Sequence, residues 1–339
     1  MPAPQFHLTF GEQVAHHTEI APEVRRAVAN EPVYTHLGSI FHDLPYYGNM
    51  VAEAVRYFAR RPAIDAPWAY RMHCIRPDRF VASFVRAARL VPGLTHDERL
   101  ALVGGLLSHC ALDLTLHPLV NYCARRDTAT YGGFESFHHR ITEKYHALFF
   151  HLERFGEDVI GQPEFYQKTR VVKRTSLARA NAEPQIIAFM QEAYRGAYGN
   201  APSGKLWSGW VRSFRHFGLM VGNKLAAANS KKKRKDDRLL ERYHRCGEFD
   251  FDAFFVHSER RLVELVNLAW RYFEAADFSA EAEDRFCLEA HIDNLAEPDG
   301  LGLPPLPELP AIVTRPRRKI IRLPRRPHLD PADQHAASA

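Results

Sequence analysis

The run GLLSHCALDLTLHPLV, residues 105–120, constrains the fold of this chain more than any other stretch. Its leucines and alanines are too apolar to be left in water. Yet His109, Asp113 and His117 recur within it every four residues. At 3.6 residues per turn, positions i, i+4 and i+8 share one face of an α-helix. Such a helix has to be buried against other elements, and its polar face then needs partners, because burying an unpaired imidazole or carboxylate is costly. Those partners are one another, side chains from elsewhere, or a cation. A His-x3-Asp pair by itself is more often a hydrogen-bonded couple than a ligand set, so the rest of the chain has to decide.

The local signals around this run are helical. Thr95, with Glu98 three residues on, forms a capping box, and Asp97 and Glu98 suit a helix N-terminus. Pro118 is expected to stop the helix, because proline lacks an N–H and clashes with the preceding turn. A polar loop, CARRDTATYGG (123–133), follows, and a second helix is expected over 134–154. Upstream, the periodicity predicts a helix over 11–29 and a short helix or turn over 35–48 with Asp43 near its end. Helices follow over 49–60 and 79–90, with a loop or short helix over 66–78 that carries His73. Downstream, helices are expected over 181–197, 206–228, 235–245, 251–276 and 280–294. No segment alternates at period two, so the reading is an all-α, multi-helical domain over 1–296. A proline-rich basic tail over 297–339 follows, expected to be partly disordered.

Composition excludes several classes. Lys and Arg number 45 against 40 Asp and Glu, a formal charge of +5, too balanced for a bulk nucleic-acid coat. Five scattered cysteines without CxxC spacing argue against a disulfide framework and a thiolate zinc site. The start has no secretory pattern and no run of about 18 apolar residues occurs, so the expected location is the cytoplasm. Histidine is the informative residue. Thirteen of the 19 fall before residue 152, so unusual chemistry is expected in the N-terminal half.

Zinc accepts imidazole nitrogen and carboxylate oxygen, and a four-residue helical spacing sets two such groups on adjacent turns. A carboxylate has two oxygens, so Asp113 can bridge two ions. A helix pair brings His139 and Glu143, again four apart, across from His117. His7, Asp43 and His73 are isolated candidates that say little one at a time. Two cations about 3.5–4 Å apart can clamp a phosphodiester and activate water.

The segments FHLTFGEQV, HLGSIFHDLP, MHC, GLLSHCALDLTLHPLV and FHHRITEKYHALF, in this order, resemble the bacterial zinc-dependent phospholipase C-like family. The resemblance covers roughly residues 5–150. It implies a phospholipase C/P1 nuclease-like helical bundle holding two or three zinc ions. It implies that His73, His109 and Asp43 hold one metal and that Asp113 bridges to a second, which His7 helps to bind. It implies that His117, His139 and Glu143 hold another, and that Asp43 is also the general base or water-orienting group. His138 is an alternative to His139, which is preferred because it shares a face with Glu143. The expected activity is hydrolysis of a phosphodiester by metal-activated water, with a phospholipid-like substrate favoured. The alternatives are a nuclease-like phosphodiesterase and a non-catalytic, metal-stabilised helical protein that binds an anionic partner. The basic residues 231–235, within SKKKRKDDR, are the candidate contact with an anionic membrane or nucleic acid, weighed against a solvated loop. Tyr46, Tyr47, Trp68, Phe134 and Phe137 are candidates for lining a substrate site, weighed against core packing.

Overall fold

Prolines set many of the helix starts. In this computed structural model, helices begin on Pro4, Pro22, Pro32, Pro67, Pro77 and Pro184. A first-turn N–H has no partner within the helix, and proline's fixed φ already suits the first turn. The structure describes residues 4–49, 66–155, 184–221 and 251–298, with positions 52, 55, 56 and 59 between them. The helices are α1 (Pro4–Gln13), α2 (Pro22–Asn30), α3 (Pro32–Ser39), α4 (Pro67–Cys74), α5 (Pro77–Leu90) and α6 (His96–Tyr131). They continue with α7 (Glu135–Phe155), α8 (Pro184–Tyr198), α9 (Gly204–Val221), α10 (Phe251–Ala275) and α11 (Ala280–Ala290). Short 3-10 turns occupy Val14–His16 and Leu44–Asn49, and no strand occurs among the described residues. The fold is all-α, as the periodicity implied. The expected helix at 235–245, the basic residues 231–235, most of the segment at 49–60 and the tail beyond residue 298 lie outside the described residues.

Two expected boundaries are corrected. The single helix expected over 11–29 is two helices, with α1 reaching back to Pro4, so His7 is helical. Pro22 starts α2 afresh, which breaks the continuous period. The larger correction concerns Pro118, which does not end α6. The helix continues for thirteen further residues, through the stretch expected to be a loop. Proline inside a helix costs about 3 kcal/mol or more. Here α6 is packed by α1, α2, α3, α5, α7 and α10, and that burial outweighs the local cost. The helix ends instead at Gly132, in a positive-φ conformation (71°), whose N–H bonds back to Thr128 O at 2.9 Å. The capping box at the other end is present as expected: Thr95 Oγ1 accepts from Glu98 N (3.2 Å) and Glu98 Oε2 accepts from Thr95 N (2.8 Å).

α6 is the axis of the core. It is long and apolar enough to cross a membrane by length and composition, but 94 % of its most apolar window is buried inside the protein, as for a core helix. An aromatic cluster fills the space beside the turn after α3, where Phe41 meets Phe84 (5.0 Å between ring centroids) and Trp207 (5.3 Å). Backbone contact between α3 and α6 is closer still. A Cβ at Gly105 would lie 2.1 Å from Thr35 O, and one at Gly38 would lie 2.2 Å from Leu102 O. Only glycine permits this approach, and it sets the C-terminal end of α3 against His109.

Gly105→Ala should therefore be destabilised by about 1–3 kcal/mol, the usual cost of overpacking. The neighbouring Gly104→Ala is the control, because its Cβ would meet side-chain methyls and no backbone, the nearest being a movable Val28 methyl at 3.1 Å. Alanine gains about 1 kcal/mol of helix propensity over glycine at either site. Thermal unfolding should then separate the two variants clearly. Equal melting temperatures would show that the α3–α6 approach is not limiting.

Candidate metal centre

All eight candidate side chains converge, although they come from five places in the fold. His7 lies on α1, Asp43 in the turn after α3, and His73 in the last turn of α4. His109, Asp113 and His117 lie on α6, and His139 and Glu143 on α7. The crossings of α1, α3 and α7 with α6 bring these positions to one face of the central helix.

Asp113 sits at the middle, with its two oxygens dividing the imidazoles. Oδ1 lies 3.6 Å from His7 Nε2 and 3.5 Å from His117 Nε2. Oδ2 lies 3.0 Å from His109 Nε2 and 3.6 Å from His73 Nε2. Asp43 adds Oδ1 at 3.7 Å from His73 Nε2 and Oδ2 at 4.0 Å from His7 Nε2. On the far side, Glu143 Oε1 lies 3.5 Å from His117 Nε2 and 3.2 Å from His139 Nε2. Three sets offer ligand atoms within 4.8 Å of one another: His7, His109 and Asp113; Asp43, His73 and His109; and His117, His139 and Glu143.

The hydrogen bonds show which ring nitrogen is left for a ligand role. His73 Nδ1 donates to Ala69 O and His109 Nδ1 to Ser39 O, each at 2.8 Å. His117 Nδ1 donates to Leu295 O, and His139 Nδ1 to Asn121 Oδ1 at 3.0 Å. Carbonyl oxygens only accept, so each Nδ1 carries its proton and each neutral ring turns a bare Nε2 toward the carboxylates. A bare nitrogen beside a carboxylate oxygen is repulsive unless a proton or a cation lies between them. Four buried atoms of the cluster make no hydrogen bond: His7 Nδ1, Asp43 Oδ2, His109 Nε2 and Glu143 Oε2. Divalent-ion ligand sets of imidazole and carboxylate, with imidazoles anchored through their second nitrogen as His73, His109, His117 and His139 are here, have this arrangement. The residues fit a metal centre.

Electrostatics agree. Burial opposes charge on His109 and His117, but the facing carboxylates outweigh it and lift both to about 9. Asp113 and Glu143 are held well below the usual carboxylate range: burial would raise both, but His117 and His109 act on the first and His139 and His117 on the second. Burial pushes Asp43 up to about 7, and it lowers His7 to about 3 and His73 to about 4. The cluster is thus a set of compensating charges in a buried site.

The centre opens at one end. The His139 side chain is 26 % exposed, against 10 % for His117 and 5 % or less for His7, His73 and His109. Its neighbour His138 turns away, with Nε2 on Gly132 O at 2.9 Å, while His139 faces Glu143. Of the aromatic candidates, Tyr46 flanks the centre, 5.5 Å from the His73 ring. Tyr47 packs on Phe214 in the core, Trp68 is partly buried against Tyr194, and Phe134 is exposed.

Three features were missed from the sequence. His42 is fully buried, stacks on His109 at 4.9 Å and leaves both ring nitrogens without a hydrogen bond. With His7 stacked at 4.0 Å, it encloses the His109 ring. Asn121, which orients His139, was overlooked although it continues the four-residue stripe His109, Asp113, His117. The backbone at Leu295–Ala296 had no sequence signal at all, because its atoms are the same in every residue. No protein-family model matches the chain, and neither does any curated protein or solved structure.

Proposed function

We propose that this chain is a zinc-dependent phosphoesterase that hydrolyses a phosphodiester, with a phospholipid-like substrate favoured, and that it works in the cytoplasm. The observation that carries this reading is the division of Asp113: each of its oxygens faces two imidazole nitrogens, the arrangement of a carboxylate shared by two cations. Asp43, His73 and His109 would hold one ion, with His7 joining through Asp113, and His117, His139 and Glu143 would hold another. When bound, a pair of such ions supplies the Lewis acidity that lowers the pKa of water and offsets charge on phosphoryl oxygens.

The protein's own groups supply the rest. The Nδ1 anchors hold His73, His109, His117 and His139 in one tautomer, so these rings need no reorganisation as charge develops. Asp43 Oδ2 accepts no hydrogen bond and is available to orient or deprotonate a water. The more exposed end at His139 is the side from which a phosphodiester would enter. The basic residues 231–235 are proposed to meet the anionic surface that carries the substrate.

Elemental analysis of the purified protein should give two or three zinc per chain. The zinc-loaded protein should hydrolyse a chromogenic phosphodiester, lose that activity to a chelator and regain it on adding zinc. Zinc without hydrolysis of any phosphodiester, lipid or nucleotide, would leave a metal-stabilised binding protein. Absence of zinc, with no thermal stabilisation on adding it, would remove the metal reading altogether.

A further inference from the structure

We propose that the segment 294–297 and Asn121 are built into the centre as positioning groups for the His117–His139–Glu143 set. This rests on the reading of that set as a metal site. The Leu295 backbone spans the cluster: its N–H donates to His73 O at 2.7 Å, and its carbonyl accepts from His117 Nδ1. One residue on, Ala296 O accepts from Asn121 Nδ2 at 2.7 Å, while Asn121 Oδ1 accepts from His139 Nδ1 at 3.0 Å.

The donor and acceptor roles along this chain of contacts are forced. Ala296 O can only accept, so it must face the amide NH2 of Asn121. That orients the amide oxygen toward His139, which must then carry its proton on Nδ1. His139 Nε2 is left bare, 3.2 Å from Glu143 Oε1. His117 is fixed in the same way by the Leu295 carbonyl. Both imidazoles of this set therefore take their tautomer from two adjacent peptide carbonyls some 170 residues away in the chain. The His73–His109–Asp43 set takes its anchors from Ala69 O and Ser39 O instead. The segment is itself held: Leu295 is buried, Asn294 Oδ1 accepts from Ala296 N and Glu297 N at 3.1 Å each, and Arg125 pairs with Glu297 at 3.1 Å.

Outer groups of this kind typically change metal affinity 10–100-fold. The test is zinc competition titration of the full chain, together with melting of the chelated protein, for wild type, Asn121→Leu, Asn121→Asp and Asn294→Ala. Asn121→Leu should weaken one zinc equivalent about 10–100-fold and leave the other within about threefold. Asn121→Asp keeps an acceptor for His139 but loses the donor to Ala296 O, so it should recover only part of the loss. Asn294→Ala touches no candidate ligand and should weaken the same equivalent through the segment alone. That variant decides the matter if Asn121→Leu fails to fold. Equal weakening of all equivalents, or no weakening in either Asn121→Leu or Asn294→Ala, overturns the proposal while leaving the metal reading intact. A wild-type chain that binds no zinc overturns both.

Discussion

Asp113→Asn is expected to remove at least one zinc per chain and to lower kcat/KM on a phosphodiester by at least about 100-fold, close to 2.7 kcal/mol of transition-state stabilisation. The substitution is nearly isosteric, so packing is preserved. What changes is that one oxygen becomes an NH2 donor and the negative charge disappears. Oδ1 faces His7 and His117, and Oδ2 faces His109 and His73. Whichever way the amide turns, one pair of imidazoles meets a donor in place of an acceptor, and sharing of two cations is lost. The chelated variant should suffer as well. It leaves His109 and His117, both raised to about 9, without the carboxylate between them. Removing one partner of a buried charge pair costs about 3–5 kcal/mol. Metal analysis, hydrolysis and chemical denaturation of the chelated protein measure these three effects. An Asp113→Asn protein that keeps all its zinc and its rate would disprove the shared carboxylate.

The second large effect is a loss, on zinc loading, of the pH dependence that the chelated protein shows. His109 and His117 have folded values near 9, above their ordinary 6.5. Their charged forms thus contribute stability that is fully present below pH 6.5 and lost as pH rises through 9. Asp43, raised to about 7, adds a loss in the same direction between its ordinary value and pH 7. His7 and His73 are depressed, so they act only below pH 6.5, where stability falls as pH falls. Between pH 6.5 and 9 the chelated protein should become steadily less stable. Zinc must displace the protons on His109 and His117, so each ion's affinity should rise about tenfold per pH unit over the same interval and level off above 9. The loaded protein should accordingly gain stability relative to the chelated form as pH rises. Calorimetric zinc titrations at pH 7, in buffers of different ionisation enthalpy, should report between about two and three protons released, from His109, His117 and the half-protonated Asp43. Zinc uptake without proton release would show that these imidazoles are neutral before binding.

How much could be read in advance depended on the kind of physical signal. Helix type was legible because the 3.6-residue period and the Thr95–Glu98 box are local. The α6 stripe was legible because helical spacing alone aligns His109, Asp113 and His117, and the same rule paired His139 with Glu143. Pro118 misled because its local penalty was judged without the burial that surrounds α6. His42 went unread because a lone histidine beside an aspartate has no period to place it.

The sequence by itself determined that this is an all-α chain with a buried, polar-faced central helix, because apolar periodicity dictates which surfaces must leave water. It also offered a stripe of candidate ligands, because helical spacing alone aligns His109, Asp113 and His117. Only the tertiary structure decided that His7, Asp43 and His73 meet that helix, since they arrive on α1, the turn after α3 and α4, and no local spacing relates these elements. It alone decided that the Leu295 and Ala296 carbonyls meet His117 and Asn121, because a peptide carbonyl has no sequence signature and becomes a specific partner only where folding places it.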